Sequence, residues 1–285
     1  MLRFQHSIKT LCRVLCVNRS SYYKHFYGKT AARVKQNQHI ASLILHIYAD
    51  FDKRPGAYKI NHILKRDYGI NISVGRVYRL MKTLNLPKMS TDRPATSTKH
   101  TVSNDNGECT NHLKRNFSQK APNTVWASDI TYLKADGRWY YLCVVMDLFS
   151  RKIISWHIST KPDAELAITA FKKAYEKRNA PYGLMFHSDR GTQYTASSFR
   201  QLLDSLNVVQ SFSNKGCPFD NACCECFFKY LKKEETDRRN YHSFQELKLS
   251  VFEYIEGYYN TKRPHSTLNM LTPDEAENLY RESKQ

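Results

Sequence analysis

Three consecutive β-forming segments, at 125–133, 138–148 and 152–158, constrain the fold of this chain more than any other feature. The segments are rich in β-branched and aromatic residues, and turn sequences at Ala135-Asp136-Gly137 and Ser150-Arg151 separate them. The pattern then alternates: a helix at about 163–178, a short strand at 184–187, a helix near 195–206 and a last strand at 208–212. Three strands in series followed by alternating helix and strand predict a layered α/β core with a mixed sheet.

After the last strand, Pro218 keeps the preceding chain non-helical, and Asp220 is placed to cap a helix start. Cys224, Phe227, Phe228 and Leu231 recur at i, i+3, i+4 and i+7 and form one apolar stripe. Glu225, Lys229 and Lys232 share the adjoining face; taken alone they read as a solvated Glu–Lys face. A final long helix opens on the capping box Ser243-Phe244-Gln245-Glu246 and runs to about Tyr259, with Leu247, Val251, Tyr254 and Tyr258 inward.

The start of the chain is different in kind. Of the net charge of +18, residues 1–123 contribute +16 (22 Lys+Arg against 6 Asp+Glu) and residues 124–285 only +2 (22 against 20). A basic part joined to a charge-balanced part points to a polyanion-binding module, nucleic acid first. Short helices at 4–26, with Ile8, Leu11 and Leu15 as a stripe, precede longer ones at 36–49 and 58–67. Gly69 then breaks the pattern, and Ser73 caps a helix with Val74, Val77, Met81 and Leu84 inward. Arg76, Arg79 and Lys82 fall on its other side, which is the outline of a helix-turn-helix. The domain reading is a helical DNA-binding region at 1–86, a basic linker rich in Pro, Ser, Thr and Asn at 87–122, and an α/β core with a helical tail at 123–285.

Three carboxylates stand out by setting. Asp129 interrupts an otherwise apolar strand, where a charge costs several kcal/mol unless a cation compensates it. Asp189 follows the next central strand, at the strand end where open α/β sheets bind ligands. Glu225 comes from the helix after the last strand. Two strand aspartates and one helix glutamate can converge on divalent cations through oxygen ligands, and a pair of metals about 3.5–4 Å apart would activate the attacking oxygen and steady the leaving one. Asp147 also ends a strand, but Leu148-Phe149-Ser150-Arg151 gives it a turn role.

These residues carry a resemblance. The segments Trp126–Tyr132, Asp147–Arg151, His187–Tyr194, Asp220–Phe228 with Leu231-Lys232, and Tyr259–His265 with Pro273 are similar to those of the OrfB-type transposases of bacterial insertion sequences. Upstream, Asn111, Leu113, Arg115 and Phe117, Gly56-Ala57-Tyr58 and Val77–Met81 match as well; Cys226 stands where Ser is usual and Cys217 where a polar residue is common. The resemblance implies a ribonuclease H-like core, similar to that of retroviral integrase, in which Asp129, Asp189 and Glu225 form a DDE triad. It implies Mg²⁺ as cofactor, with Mn²⁺ as a substitute and two ions in the site. Water and then a freed 3′-hydroxyl would attack phosphodiesters in line, with no covalent enzyme intermediate. It also implies terminal inverted repeats and target DNA as partners, an OrfA protein or fusion, a homo-oligomer on DNA and a cytoplasmic, nucleoid-associated location. Lys229 and Lys232 would lie near the DNA end, with Arg263 and His265 as further phosphate contacts.

Two other classes fit part of the pattern. One is a DNA-binding regulator of transposition without cutting activity; the other is a metal-dependent nuclease without strand transfer. The eight irregularly placed cysteines outline no disulfide framework, and Cys217, Cys223, Cys224 and Cys226 lack the paired spacing of a zinc site. The longest apolar run, 140–146, is too short to span a bilayer, and no secretory leader opens the chain. His187 is read as a packing residue at a strand end.

Overall fold

A computed structural model describes residues 6–27, 32–87 and 109–284. The chain divides into two compact units, residues 1–88 and 89–285. Most of the expected linker lies outside the described residues.

The first unit is helical: α1 (Ile8–Val14), α2 (Arg19–Tyr27), α3 (Ala32–Asp50), α4 (Ala57–Tyr68) and α5 (Val74–Thr83). Ile40, Ile44 and Ile47 of α3, Ile60, Ile63 and Leu64 of α4, and Val77 and Met81 of α5 bury the shared core, as their helical spacing requires. Gly69 ends α4 in the left-handed conformation at φ 66°, which residues with a Cβ adopt at a cost. Ser73 caps α5 by accepting the Arg76 N–H, and the Asn61 amide donates to the Ile72 carbonyl at 2.7 Å, fixing the turn between α4 and α5. Two expected stripes are corrected: Val74 is exposed, and in α1 the buried residue is Cys12 while Leu15 is exposed.

The second unit is built on β1 (Val125–Ala135), β2 (Arg138–Asp147), β3 (Ile153–Ser159), β4 (Met185–Ser188) and β5 (Val209–Phe212), in the spatial order β3-β2-β1-β4-β5. β1 and β2 close on the two-residue turn Asp136-Gly137, both at positive φ, a geometry that matches strand twist. β1, β2 and β3 are antiparallel, whereas β4 pairs parallel to β1 and β5 parallel to β4. The expected mixed-sheet, ribonuclease H-like α/β core is therefore the observed one.

Helices α6 (Ala164–Lys177), α7 (Thr192–Thr195) and α8 (Ser197–Ser205) cover one face of the sheet, where Trp126, Phe171, Phe186, Tyr194, Phe199 and Phe212 form the main core. A 3₁₀ turn, Pro218–Asn221, leads into α9 (Ala222–Glu234), which lies against β1. All four residues of its expected stripe are buried. α10 (Phe244–Phe252) starts at Ser243 but passes into a π-helical turn, Glu253–Tyr259, before the expected end. That wider turn lets Tyr254, Ile255, Tyr258 and Tyr259 all face inward. Glu246 bonds the His242 N–H rather than the Ser243 N–H, so the expected capping box is only half formed. A complete one, Thr272 with Glu275 and Pro273 at the first position, opens α11 (Pro273–Glu282).

Candidate active site

Strand register brings the two aspartates together. Ala127 pairs with His187 in the parallel β1–β4 ladder; two residues further on are Asp129, within β1, and Asp189, just past the end of β4. Neighbouring strands lie about 4.8 Å apart, and a period of two keeps both residues on one face of the sheet. The alternate residues Trp126 and Ser128 turn the other way: Trp126 enters the main core and the Ser128 hydroxyl lies 2.7 Å from the Tyr194 hydroxyl. Asp129 and Asp189 therefore belong to the face that carries α9.

Each aspartate is fixed locally. Asp129 Oδ1 accepts the Ile130 N–H at 2.8 Å, and Asp189 Oδ1 accepts the Gly191 N–H at 3.0 Å. A Cβ at position 191 would stand 3.0 Å from that same Oδ1 and 2.8 Å from Gln193 Oε1, so the close turn onto Asp189 favours glycine at residue 191. Glu225 occupies the first turn of α9 and is exposed. Asn221, just before the helix, donates its side-chain amide to the Ser128 carbonyl at 3.0 Å and ties the helix start to β1 beside Asp129.

The three carboxylates act on one another. Burial, then the Asp189 charge and more weakly the Glu225 charge, raise the Asp129 carboxyl well above its ordinary range; the Ile130 N–H and Lys232 offset this in part. Glu225 is raised as well, by desolvation and by Asp189. No basic side chain forms an ion pair with Asp129 or Glu225 among the described residues. Lys232 lies with its Nζ 4.6 Å over the Tyr132 ring, and Lys229 is exposed. Thus the solvated Glu–Lys pair that the sequence permits is not formed. Carboxylates that raise one another in this way are what an oxygen-liganded divalent ion would relieve. The donor set fits such an ion in chemistry; among the described residues no three His, Cys, Asp or Glu side chains are already drawn into a metal-binding cluster.

Several expected roles are corrected. Asp220 does not cap α9: it is buried, and its carboxylate accepts from Arg115, the Asn111 amide (2.9 Å) and the Asn214 N–H (2.9 Å). Burial pushes that carboxyl up, but the Asn214 and Arg115 donors outweigh it and the net shift is downward. Arg263, expected as a phosphate contact, is engaged within the fold. It is 3% exposed, pairs with Glu234 at 2.9 Å and stacks 3.9 Å from the Tyr230 ring centroid. His265 is also buried, edge-on to Tyr259. In the first unit, Arg76 is half-buried and donates to Asn37 and Gln36, bracing α5 on α3, while Arg79 and Lys82 stay exposed.

Asp147 and His187 are placed as expected. Asp147 is buried and accepts the N–H groups of Asn123 (2.7 Å) and Phe149 (2.8 Å), a turn role. His187 is packed out of solvent between Ser211 (Nδ1, 2.9 Å) and the Asp220 carbonyl (Nε2, 3.0 Å). The cysteines are free, with Cys224 in the core. No helix among the described residues is long and apolar enough to cross a membrane.

The chain matches the family "Integrase core domain" over residues 119–218 and again over 206–273, and "HTH-like domain" over 35–92. It is 35% identical over 277 residues to transposase InsF for insertion sequence IS3A of Escherichia coli (strain K12), an alignment covering 96% of this chain and 95% of the relative. The chain belongs to the IS3-family transposases. A second family member, the transposase for insertion sequence element IS904 of Lactococcus lactis subsp. lactis (strain IL1403), is 34% identical over 84% of this chain and 93% of its own. The HTH-like match contains most of α3 and all of α4 and α5 of the transposase, and with them Arg79 and Lys82. Among solved structures, the catalytic core of HTLV-2 integrase in complex with magnesium aligns over 55% of the transposase and 98% of that core (TM-score 0.40, 19% identity). The catalytic core of BIV integrase aligns over 57% and 98% (TM-score 0.42, 18% identity).

Proposed function

We propose that this transposase cleaves insertion-sequence ends and joins them by strand transfer, with Asp129, Asp189 and Glu225 as the DDE triad. The observation that carries the reading is the β1–β4 register, which sets Asp129 beside Asp189, while Asn221 ties the start of α9, and with it Glu225, to β1; in keeping with that, the Asp189 charge raises both the Asp129 and the Glu225 carboxyls. Asp129, Asp189 and Glu225 would hold one or two Mg²⁺ ions, with Mn²⁺ as substitute. When bound, the metal supplies Lewis-acid stabilisation of the attacking and leaving oxygens. The chain's own part is positioning. Register sets Asp129 beside Asp189, the Gly191 N–H holds the Asp189 carboxylate, and Asn221 ties the start of α9, which carries Glu225, to β1. Lys229 and Lys232, on the same helix face, would neutralise phosphates of the DNA end.

In this reading the helical region 1–86 engages the terminal inverted repeats through the Arg79–Lys82 face of α5, and the 87–122 stretch links it to the core at 123–285. Target DNA, an OrfA partner or fusion, a homo-oligomer on DNA and a cytoplasmic, nucleoid-associated location complete the proposal.

The test is incubation of the purified protein with Mg²⁺ and a labelled element-end duplex, beside Glu225→Gln. Joined strand-transfer product from the unaltered protein alone supports the reading. Binding without product would leave a DNA-binding regulator, and cleavage without joining a nuclease.

A further inference from the structure

A cavity of about 430 Å³ opens beside the start of α9, lined by Asn111, Lys114, Arg115, Asn214 and Asp220. It lies on the Asp220 side of the 3₁₀ turn, five residues before Glu225 and apart from the carboxylates. Two turns make its walls. In one, Lys114 and Arg115 are both left-handed, at φ 47° and 61°. Two adjacent side chains with a Cβ in that region cost on the order of 1–3 kcal/mol each, and such strain collects where a side chain has to be aimed. The surrounding structure enforces it: Leu113 is buried, the His112 and Leu113 N–H groups both donate to Ser211 Oγ, and Asn111 Oδ1 accepts the Lys114 N–H at 2.8 Å. In the other turn, Gly216 is left-handed at φ 70° and Cys217 N–H closes on the Asn214 carbonyl.

The lining is a graded cation. Asp220 is neutralised by Arg115, so the remaining charge is that of Lys114, which is exposed and makes no ion pair among the described residues. The Asn214 side-chain amide also has no partner among the described residues and adds a neutral donor to the same cavity. The outer Arg115 nitrogens remain accessible, since its side chain is 54% exposed while it holds Asp220 through Nε. A guanidinium that keeps an outer edge, an unpaired ammonium and an amide around one opening recognise an oxyanion of phosphate size.

We infer that this cavity is a phosphate clamp for the DNA strand, one that grips the backbone upstream of the phosphate at the carboxylates. The inference rests on the transposase reading. Five residues of 3₁₀ and α-helix separate Asp220 from Glu225, roughly 8–10 Å along the axis. Asp220, which anchors the clamp, and Glu225 lie on the consecutive 3₁₀ turn and α9, so a strand held at one is registered at the other. Asp220 serves as the hinge pin: it ties the lead-in segment through Asn111 and Arg115, the preceding turn through Asn214 N–H, and the helix start through its own backbone.

The experiment measures binding of the full-length protein to a fluorescent element-end duplex over a range of KCl, for Lys114→Gln, Asn214→Ala and the control Lys248→Gln. Lys248 is an exposed lysine of α10, outside the cavity. Loss of one released counterion should lower the slope of log K against log[salt] by about 0.9 and weaken binding roughly five- to tenfold at 0.1 M for Lys114→Gln. Asn214→Ala should weaken binding with the slope unchanged, and Lys248→Gln should change neither. Inorganic phosphate at millimolar concentration should compete with duplex for the unaltered protein more than for Lys114→Gln; competition without any slope change would mean a free-anion site and overturn the DNA clamp. Equal slopes and affinities for Lys114→Gln and the unaltered protein would overturn it too while leaving the transposase reading standing. Failure of the unaltered protein to bind any duplex would overturn both.

Discussion

Asn221 and Ser128 are joined by a single buried hydrogen bond, amide to backbone carbonyl at 3.0 Å, and that bond sets where Glu225 stands relative to Asp129. Ser128 is the residue before Asp129, and Asn221 is 4% exposed, one residue before α9. Replacing Asn221 by Ala removes the donor and leaves a buried carbonyl without it, a loss of about 1–2 kcal/mol. The expected outcome of Asn221→Ala is a Tm lower by a few degrees and a fall in strand joining larger than the stability loss explains. Asn221→Asp should be worse on both counts, because it adds a fourth carboxylate beside three. Joining assays at a temperature where both variants remain folded, checked by circular dichroism, decide this; unaltered joining by Asn221→Ala would remove the positioning role.

Glu225→Gln separates chemistry from folding. The carboxylates repel one another, so a neutral amide of the same shape relieves charge rather than removing a stabilising contact. Strand joining is expected to fall on the order of 10³-fold or more, the scale of losing one preorganised charge-stabilising group. The Tm without divalent ion should hold steady or rise, and duplex affinity should change little. A variant that joins normally, or one that unfolds, would return Glu225 to a surface role.

Much of this site is legible in the amino-acid sequence. The five strands begin and end within two residues of their expected limits, because β-branched runs and the Asp136-Gly137 turn are local signals. Asp129 stands out because a charge in a central apolar strand needs a reason. What local pattern cannot show is held by distant partners. Asp220 beside Pro218 has every local mark of a cap, but its carboxylate is taken by Asn111 and Arg115, 109 and 105 positions away. Arg263 has the look of an exposed tail residue because nothing nearby in sequence announces Glu234, 29 positions upstream. The π-helical turn is hidden for another reason: Tyr254 and Tyr258 fit an α-helical stripe, and only burial of Ile255 and Tyr259 as well shows that the turn is wider. Lys114 and Arg115 show only as part of a basic lead-in, since left-handed backbone at a lysine leaves no trace in composition.

The buried pair Arg263–Glu234 gives a prediction about stability rather than activity. Glu234 accepts from Arg263 and from the Tyr254 hydroxyl at 2.8 Å, all out of solvent. Removing one member of such a pair strands the other charge, at a cost of roughly 3–5 kcal/mol. Arg263→Ala should therefore lower Tm sharply or abolish soluble expression. Arg263→Met with Glu234→Leu should recover much of the loss while leaving the salt dependence of duplex binding unchanged. A reduced salt slope in the double variant would restore Arg263 as a phosphate contact.

Asp129 ties stability to pH and to divalent cation together. Its carboxyl is raised above the ordinary value of 3.8, so the folded protein binds more protons than the unfolded chain in that window. Stability contributed at this residue accordingly falls as pH rises from 3.8 towards the raised value, and stays low above it. A cation held by the carboxylates competes with those protons. Millimolar Mg²⁺ is expected to raise Tm more at about pH 7.5 than at about pH 4.5, and Asp129→Asn should abolish the difference. Differential scanning fluorimetry with and without chelator measures it; an equal Mg²⁺ effect in Asp129→Asn would place the ion elsewhere.

His187 titrates with the opposite sign. Desolvation lowers its pKa from 6.5 to about 4 against a partial offset from Asp220, so the folded protein holds it neutral. Its geometry fits that state, with Nε2–H donating to the Asp220 carbonyl and Nδ1 accepting from Ser211 Oγ. The unfolded chain takes up the proton first, so stability falls as pH drops from 6.5 towards 4 and the loss is complete below that, roughly 3 kcal/mol in all. Because Ser211 also receives the His112 and Leu113 N–H groups, protonating His187 should loosen the 109–117 segment along with the start of α9. His187→Gln, which cannot titrate, is expected to start less stable at neutral pH yet lose less between pH 6.5 and 4. Chemical denaturation at several pH values in that range gives the comparison, and parallel losses for the two proteins would show that His187 is already charged in the folded state.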